Sequence, residues 1–214
     1  MSTALAIGCY VAVLGAAAAA WQFGPPRTQG SRFKPAATIS ALLVIGIPSL
    51  LQLTLAPGLL NALERQGSDA AVSQPWRIVT ALLVQDGGWP ALITNLAALA
   101  WIGSMAESAW GTRRWLVIAL GAGIGAQLWG FLVQPVGAGN SVVVFGLASS
   151  LLVRAWTGKG HTAKVASAAG LAAAAVFLMG GDLHGGAAAI GAVIAVLLLG
   201  PMAQPPKRKQ KQHL

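Results

Sequence analysis

Ser141, in the stretch G-N-S-V-V-V-F-G-L, and His184, in G-G-D-L-H-G-G-A-A-A-I-G, are the two residues of this chain whose types can do chemistry together. A serine hydroxyl is a weak nucleophile until a neutral imidazole within hydrogen-bond reach takes its proton. The oxyanion that follows needs donors, which the side-chain amide of Asn95 and the backbone N–H of Ser141 can supply. Phe145 follows Ser141 by four residues, on the same helix face, and can stack on the imidazole. A pair of this kind works without an acid if packing fixes the ring. Plainer readings stay open beside this one. Ser141 at a helix start fits an N-cap, Asn95 an interhelical hydrogen bond, and His184, among its glycines, a packed interface residue. Asp182 reads as a helix-start residue satisfying orphan N–H groups.

The elements that must carry these residues are apolar. Of 214 residues, 56% are hydrophobic and 9% charged, against roughly 25% charged in soluble domains. The apolar residues fall into blocks near 2–22, 37–57, 90–106, 115–133, 141–157, 163–181 and 183–201. A membrane-spanning helix needs about 20 residues, and a soluble fold would use amphipathic helices instead. The fold class is therefore an all-α polytopic membrane protein. Counting loops alternately puts Arg27, Arg32, Lys34, Arg113, Arg114, Arg154, Lys159, Lys164, Lys207, Arg208, Lys209 and Lys211 on one side, leaving Arg65 and Arg77 on the other. By the positive-inside rule the N-terminus lies outside and the tail P-P-K-R-K-Q-K-Q-H-L is cytoplasmic. Asn95, Ser141 and His184 then share one membrane face and a similar depth, although the charge count did not use them.

The net charge of +9 belongs to that topology, and the tail reads as a juxtamembrane anchor on the lipid bilayer, with no nucleic-acid partner expected. Cys9 has no partner for an internal disulfide, and the three histidines are far apart. Neither a metal nor a cofactor is expected. Residues 1–23 read as an extra N-terminal transmembrane helix, or an uncleaved signal-like segment, since no basic n-region precedes them. A cytoplasmic linker over 24–36, a six-helix membrane domain over 37–203 and a basic cytoplasmic tail over 204–214 follow.

The order of motifs resembles the rhomboid family of intramembrane serine proteases over about residues 37–201. Trp76-Arg77 matches its W-R pair; Asn95, then Glu107 in G-S-M-A-E, then Gly111 match its asparagine, G-x-x-x-E and following glycine. G-N-S-V resembles G-x-S-G, and H-G-G-A-A-A-I-G resembles H-x-x-G-x-x-x-G. The resemblance implies a six-transmembrane-helix rhomboid-like core with one extra N-terminal helix. It further implies Ser141 as nucleophile, His184 as general base and Asn95 as oxyanion donor, with Gly139, Asn140 and Phe145 supporting the dyad. Trp76 and Arg77 would hold the outer loop at the membrane interface, and Glu107, Arg113 and Arg114 would be structural. Gly191 and Ala187 would form a small-x-x-x-small face. Three positions depart from the pattern. Ala91 stands where the family has a histidine, Val142 where it has the glycine after the serine, and Ala187 where its last helix has glycine.

The expectation is an intramembrane serine endopeptidase that cleaves a transmembrane protein substrate near the outer face of a bacterial plasma membrane. The alternative is a catalytically weak or inactive rhomboid-like protein that binds and regulates or escorts membrane proteins. A transporter fits less well, because Pro135 and the glycines at 137–139 break structure in an outer loop instead of at the bilayer midplane.

Overall fold

The computed structural model of the chain describes residues 2–28, 33–67 and 73–200. The tail over 204–214, part of the 24–36 linker, Arg32 and Asp69 lie outside the described residues. The apolar blocks become α1 (Thr3–Phe23), α2 (Ala36–Thr54), α3 (Gly88–Trp110), α4 (Thr112–Val133), α5 (Ser141–Trp156), α6 (His161–Met179) and α7 (Leu183–Leu199). No strand occurs among the described residues. This is the all-helical architecture of a polytopic membrane protein.

Two boundaries differ from the block reading for physical reasons. The 37–57 block ends early, at Thr54, because Pro57 and Gly58 cannot continue a helix. The 90–106 block runs on to Trp110 because Glu107 and Ser108, polar in sequence, are buried inside the bundle.

The apolar surface faces outward as in a lipid-bathed bundle. Leu43, Val44 and Ile47 of α2, Val117 and Leu120 of α4, and Val193, Val196 and Leu197 of α7 are all more than half exposed. In water so much apolar surface would be a liability. α1 to α4 and α6 are long and apolar enough to span a membrane, whereas α5 and α7 have only 16 and 17 residues. At 1.5 Å per residue these two reach about 25 Å, short of the roughly 30 Å hydrocarbon core. Both carry their candidate residue at the N-terminal end.

α5 is the axis of the bundle, buried along nearly its whole length. α7, α1, α4 and α6 pack around it. α5 and α7 approach closely where Gly191 lies against the Gly146 backbone; any side chain at Gly191 would overlap the Gly146 carbonyl oxygen.

α3 carries three buried polar residues, Asn95, Glu107 and Ser108, with a π turn over Leu99–Gly103 between the first and the other two. Glu107 accepts from the backbone N–H of Ala37 (3.0 Å) and Thr38 (2.9 Å), and from the hydroxyls of Thr38 and Thr112 (both 2.9 Å). α2 has no side-chain cap of its own, so this carboxylate satisfies its first N–H groups from another helix. Gly111, at φ 77°, makes the left-handed turn that reverses the chain from α3 into α4.

Candidate active site

The N-terminal ends of α5 and α7 meet at one end of the bundle. There the Ser141 hydroxyl lies 2.9 Å from His184 Nε2. On the other side of the ring, His184 Nδ1 lies 2.8 Å from Asp182 Oδ1. A carboxylate only accepts, so Nδ1 carries the proton and Nε2 is the acceptor for the Ser141 O–H. The same Oδ1 accepts the His184 backbone N–H at 2.8 Å. Asp182 is the N-cap of α7 in an extended conformation, φ −90° and ψ 146°, and this fold-back brings its carboxylate to the ring two residues on. Burial pushes the Asp182 carboxyl upward, but the hydrogen bonds and charge of His184 outweigh it and hold it below the usual carboxylate range.

The N-cap reading of Ser141 is corrected here. Asn140 takes the cap position, Ser141 is the first helical residue, and its hydroxyl turns to His184 instead of to its own helix. Val143 and Val144 donate their N–H groups to the Asn140 carbonyl (3.0 and 3.4 Å), and the N–H groups of Ser141 and Val142 are the helix-start donors beside the hydroxyl. The helix-start role of Asp182 holds, and the contact with the imidazole adds to it.

Phe145 is fully buried, and its ring lies 4.7 Å from the imidazole. Phe177 of α6 and Tyr10 of α1 complete the aromatic surround, 5.8 and 5.6 Å from the His184 ring. Tyr10 also donates to Asn95 Oδ1 over 3.5 Å.

Asn95 reaches this end of the bundle, but its amide is engaged: Nδ2 donates to Gln85 Oε1 at 2.9 Å. Gln85 is the hub of a buried polar network. Its Nε2 donates to Asn140 Oδ1 (3.0 Å) and Ser49 Oγ (3.3 Å), and its backbone exchanges hydrogen bonds with the Gln52 amide. α2, α3 and the segment before Ser141 are thereby tied together. Asn140 Nδ2 is buried beside Ser141 without a hydrogen-bond partner among the described residues. Gly139 adopts φ 142° with its N–H on the Ala81 carbonyl; a side chain there would face Gln85 Oε1.

The strap before Ser141 is pinned from both sides. Asp86 accepts the Ala138 N–H at 2.9 Å, and Arg65, fully buried, exchanges backbone hydrogen bonds with Gly137 and donates to Gln127 and the Gln134 carbonyl. Arg77 is buried and holds the carbonyls of Asn61 (2.7 Å) and Glu64 (2.8 Å), while Trp76 is half exposed. Arg77 thus ties together the loop between α2 and α3. Glu107 and Gly111 lie at the far end, away from the site.

A cavity of about 270 Å³ opens over the pair, lined by Tyr10, Ala91, Asn95, Gly139, Ser141 and His184 among others. Ala91 faces it without a polar group, and Val142 is fully buried on α5.

The sequence did not single out Tyr10 or Gln85 for the site. Gln85 stands in a short stretch between blocks, and nothing in a single sequence links α1 to Asn95 and His184. The signal for Asp182 was available: an acid two residues before the histidine at a helix start.

A family model described as Rhomboid domain matches residues 72–204, more than half of the chain. No curated protein matches it.

Proposed function

The chain belongs to the rhomboid family, and on that premise we propose that it hydrolyses a peptide bond of a membrane-spanning protein, with Ser141 as nucleophile and His184 as general base. The observation that carries the reading is the 2.9 Å Ser141–His184 contact with the imidazole backed by Asp182 at 2.8 Å. The Ser141 oxygen attacks the carbonyl carbon while His184 Nε2 takes its proton. The oxyanion forms against the free N–H groups at the start of α5, with the Asn95 amide turning from Gln85 to assist. Collapse expels the amine, which receives the proton from Nε2 and leaves an acyl ester on Ser141. Water, deprotonated by Nε2, attacks the ester and frees the acid and the hydroxyl. Asp182 does not change protonation; it keeps the proton on Nδ1 and favours the imidazolium as it forms.

The basic loops argue that the site end faces outward and the opposite end the cytoplasm, with the bacterial plasma membrane as the setting. A second reading, a family member that holds a membrane segment without cutting it, is favoured by the apolar Ala91 in the cavity wall and by the engaged Asn95 amide. Fluorophosphonate labelling of detergent-solubilised wild type, Ser141→Ala and His184→Ala separates the two. Labelling that disappears in both variants supports the hydrolase. Folded wild type that does not label, beside an active control, leaves the binding reading.

A further inference from the structure

α1 lies outside the matched residues 72–204, yet it contributes Tyr10 to the cavity wall beside Ser141 and His184. Its position explains how. Among the described residues α3 and α6 make no extensive contact; α1 lies between them, running along α6 and α5 and touching α3. The Tyr10 ring lies edge-on to Phe145 at 4.7 Å and to His184 at 5.6 Å.

The two ends of α1 are held very differently. At its C-terminal end, Trp21 donates to Ser108 at 2.9 Å, Thr28 to the Ala109 carbonyl at 2.5 Å, and Arg154 to the carbonyls of Pro25 (3.3 Å) and Pro26 (2.5 Å). At the site end the described polar contact to the bundle is the 3.5 Å Tyr10–Asn95 hydrogen bond, and Leu5, Ile7 and Val11 face outward. α1 is thus anchored far from the site and, among the described residues, held near it by apolar and aromatic packing and one long hydrogen bond.

At the cavity wall Tyr10 bridges Asn95 of α3 and the His184 ring of α7, so α1 closes that side of the space over Ser141.

We infer that α1 occupies, within the same chain, the seat through which a membrane-spanning helix of another protein reaches Ser141. Admission of that helix swings the site end of α1 away from α3 about its anchored end, and Tyr10 leaves Asn95 and His184. This rests on the reading of the cavity as a site for membrane segments, but not on catalysis.

The test locks α1. In a Cys9→Ser background, Ala16→Cys and Gly170→Cys put two thiols across the α1–α6 contact; a Cβ at Gly170 would stand 2.8 Å from that of Ala16 and 2.7 Å from Leu152 Cδ1, so the Leu152 side chain turns aside and the helices ease apart by about 1 Å to reach disulfide geometry. A benzophenone amino acid replaces Thr94, which is exposed and lines the cavity. The protein is reconstituted in liposomes with a biotinylated leucine–alanine transmembrane peptide bearing Gly-Ser-Gly near one end and lysines at both. The reduced protein should capture the peptide on illumination, and oxidation should lower capture at least about tenfold, a free-energy bias expected of a blocked state. Tyr10→Ala, without the thiols, should raise capture about three- to tenfold, the worth of one aromatic contact. Equal capture in the oxidised and reduced forms, no capture in either, or no gain in Tyr10→Ala overturns the inference. Fluorophosphonate labelling reports separately on Ser141. If it fails while capture still follows the lock, the hydrolase reading falls and the role of α1 stands.

Discussion

Replacing Gly191 with alanine asks whether the spacing of two helices sets the Ser141–His184 distance. A Cβ at Gly191 would overlap the Gly146 carbonyl oxygen and stand 2.6 Å from Gly146 Cα and 2.7 Å from Ser149 Oγ. Ordinary contacts settle at about 3.5 Å, so α7 must withdraw from α5 by roughly 1 Å. Gly191 lies about 10 Å along its helix from His184, and Gly146 is little more than a turn from Ser141. A rigid displacement of either helix therefore reaches the pair undiminished. The 2.9 Å contact would open to about 3.9 Å, beyond a hydrogen bond. Displacement of about 1 Å costs on the order of 100-fold in rate, and the overpacking about 1–3 kcal/mol of stability. The assay is the second-order rate of fluorophosphonate labelling, with a thermal melt on the same sample. A folded variant that labels within about threefold of wild type would refute the reasoning, because the dyad would then be indifferent to the helix contact beneath it.

Other perturbations probe other parts of the same design. Asp182→Asn exchanges a charged hydrogen bond for a neutral one, and labelling should slow roughly tenfold. Because the folded Asp182 carboxyl is held below its ordinary value, the stability it contributes is complete above about pH 3.9 and is lost as pH falls through the lower folded value. The Tm difference between wild type and Asp182→Asn should therefore persist from neutral pH down to about pH 4 and close below it. Glu107→Ala leaves two backbone N–H groups of α2 and two hydroxyls without their acceptor; unfolding in detergent should register a loss of at least about 3 kcal/mol, and Glu107→Gln a smaller one. Ala91→His adds an N–H donor to the cavity wall and should raise the labelling rate about tenfold or more; an unchanged rate would mean the oxyanion forms on another side.

The bundle was legible because seven long apolar stretches have few alternatives, and the misplaced helix ends fell where buried polar residues such as Glu107 and Ser108 look like loop. The meeting of Ser141 and His184 was legible only as an inference from topology and motif order. Asp182 was visible but underread, since a capping residue and a partner of the imidazole have the same sequence signature. Its extended φ and ψ are what let one oxygen serve both the His184 N–H and the ring. Tyr10 and Gln85 were beyond reach, because their roles come from helix neighbours far apart in the chain. Gln85 connects Ser49, Asn95 and Asn140 from a segment with no periodicity to place it.

The π turn at Leu99–Gly103 has a consequence for how this chain can change length. Asn95 and Glu107 are twelve positions apart, which on an uninterrupted α-helix would set them about 120° apart around the axis. One extra residue taken up in a π turn removes about 100° of that, leaving the two nearly in line, and both are buried. The π turn therefore takes up one residue of length without turning either side chain. Deleting Ala100 would restore regular winding, and eleven positions of plain α-helix would still leave Asn95 and Glu107 only about 20° apart. A single-residue gap at the bulge is thus the length change this segment can absorb, whereas an insertion there would swing one residue about 100° from the other unless a second bulge took it up.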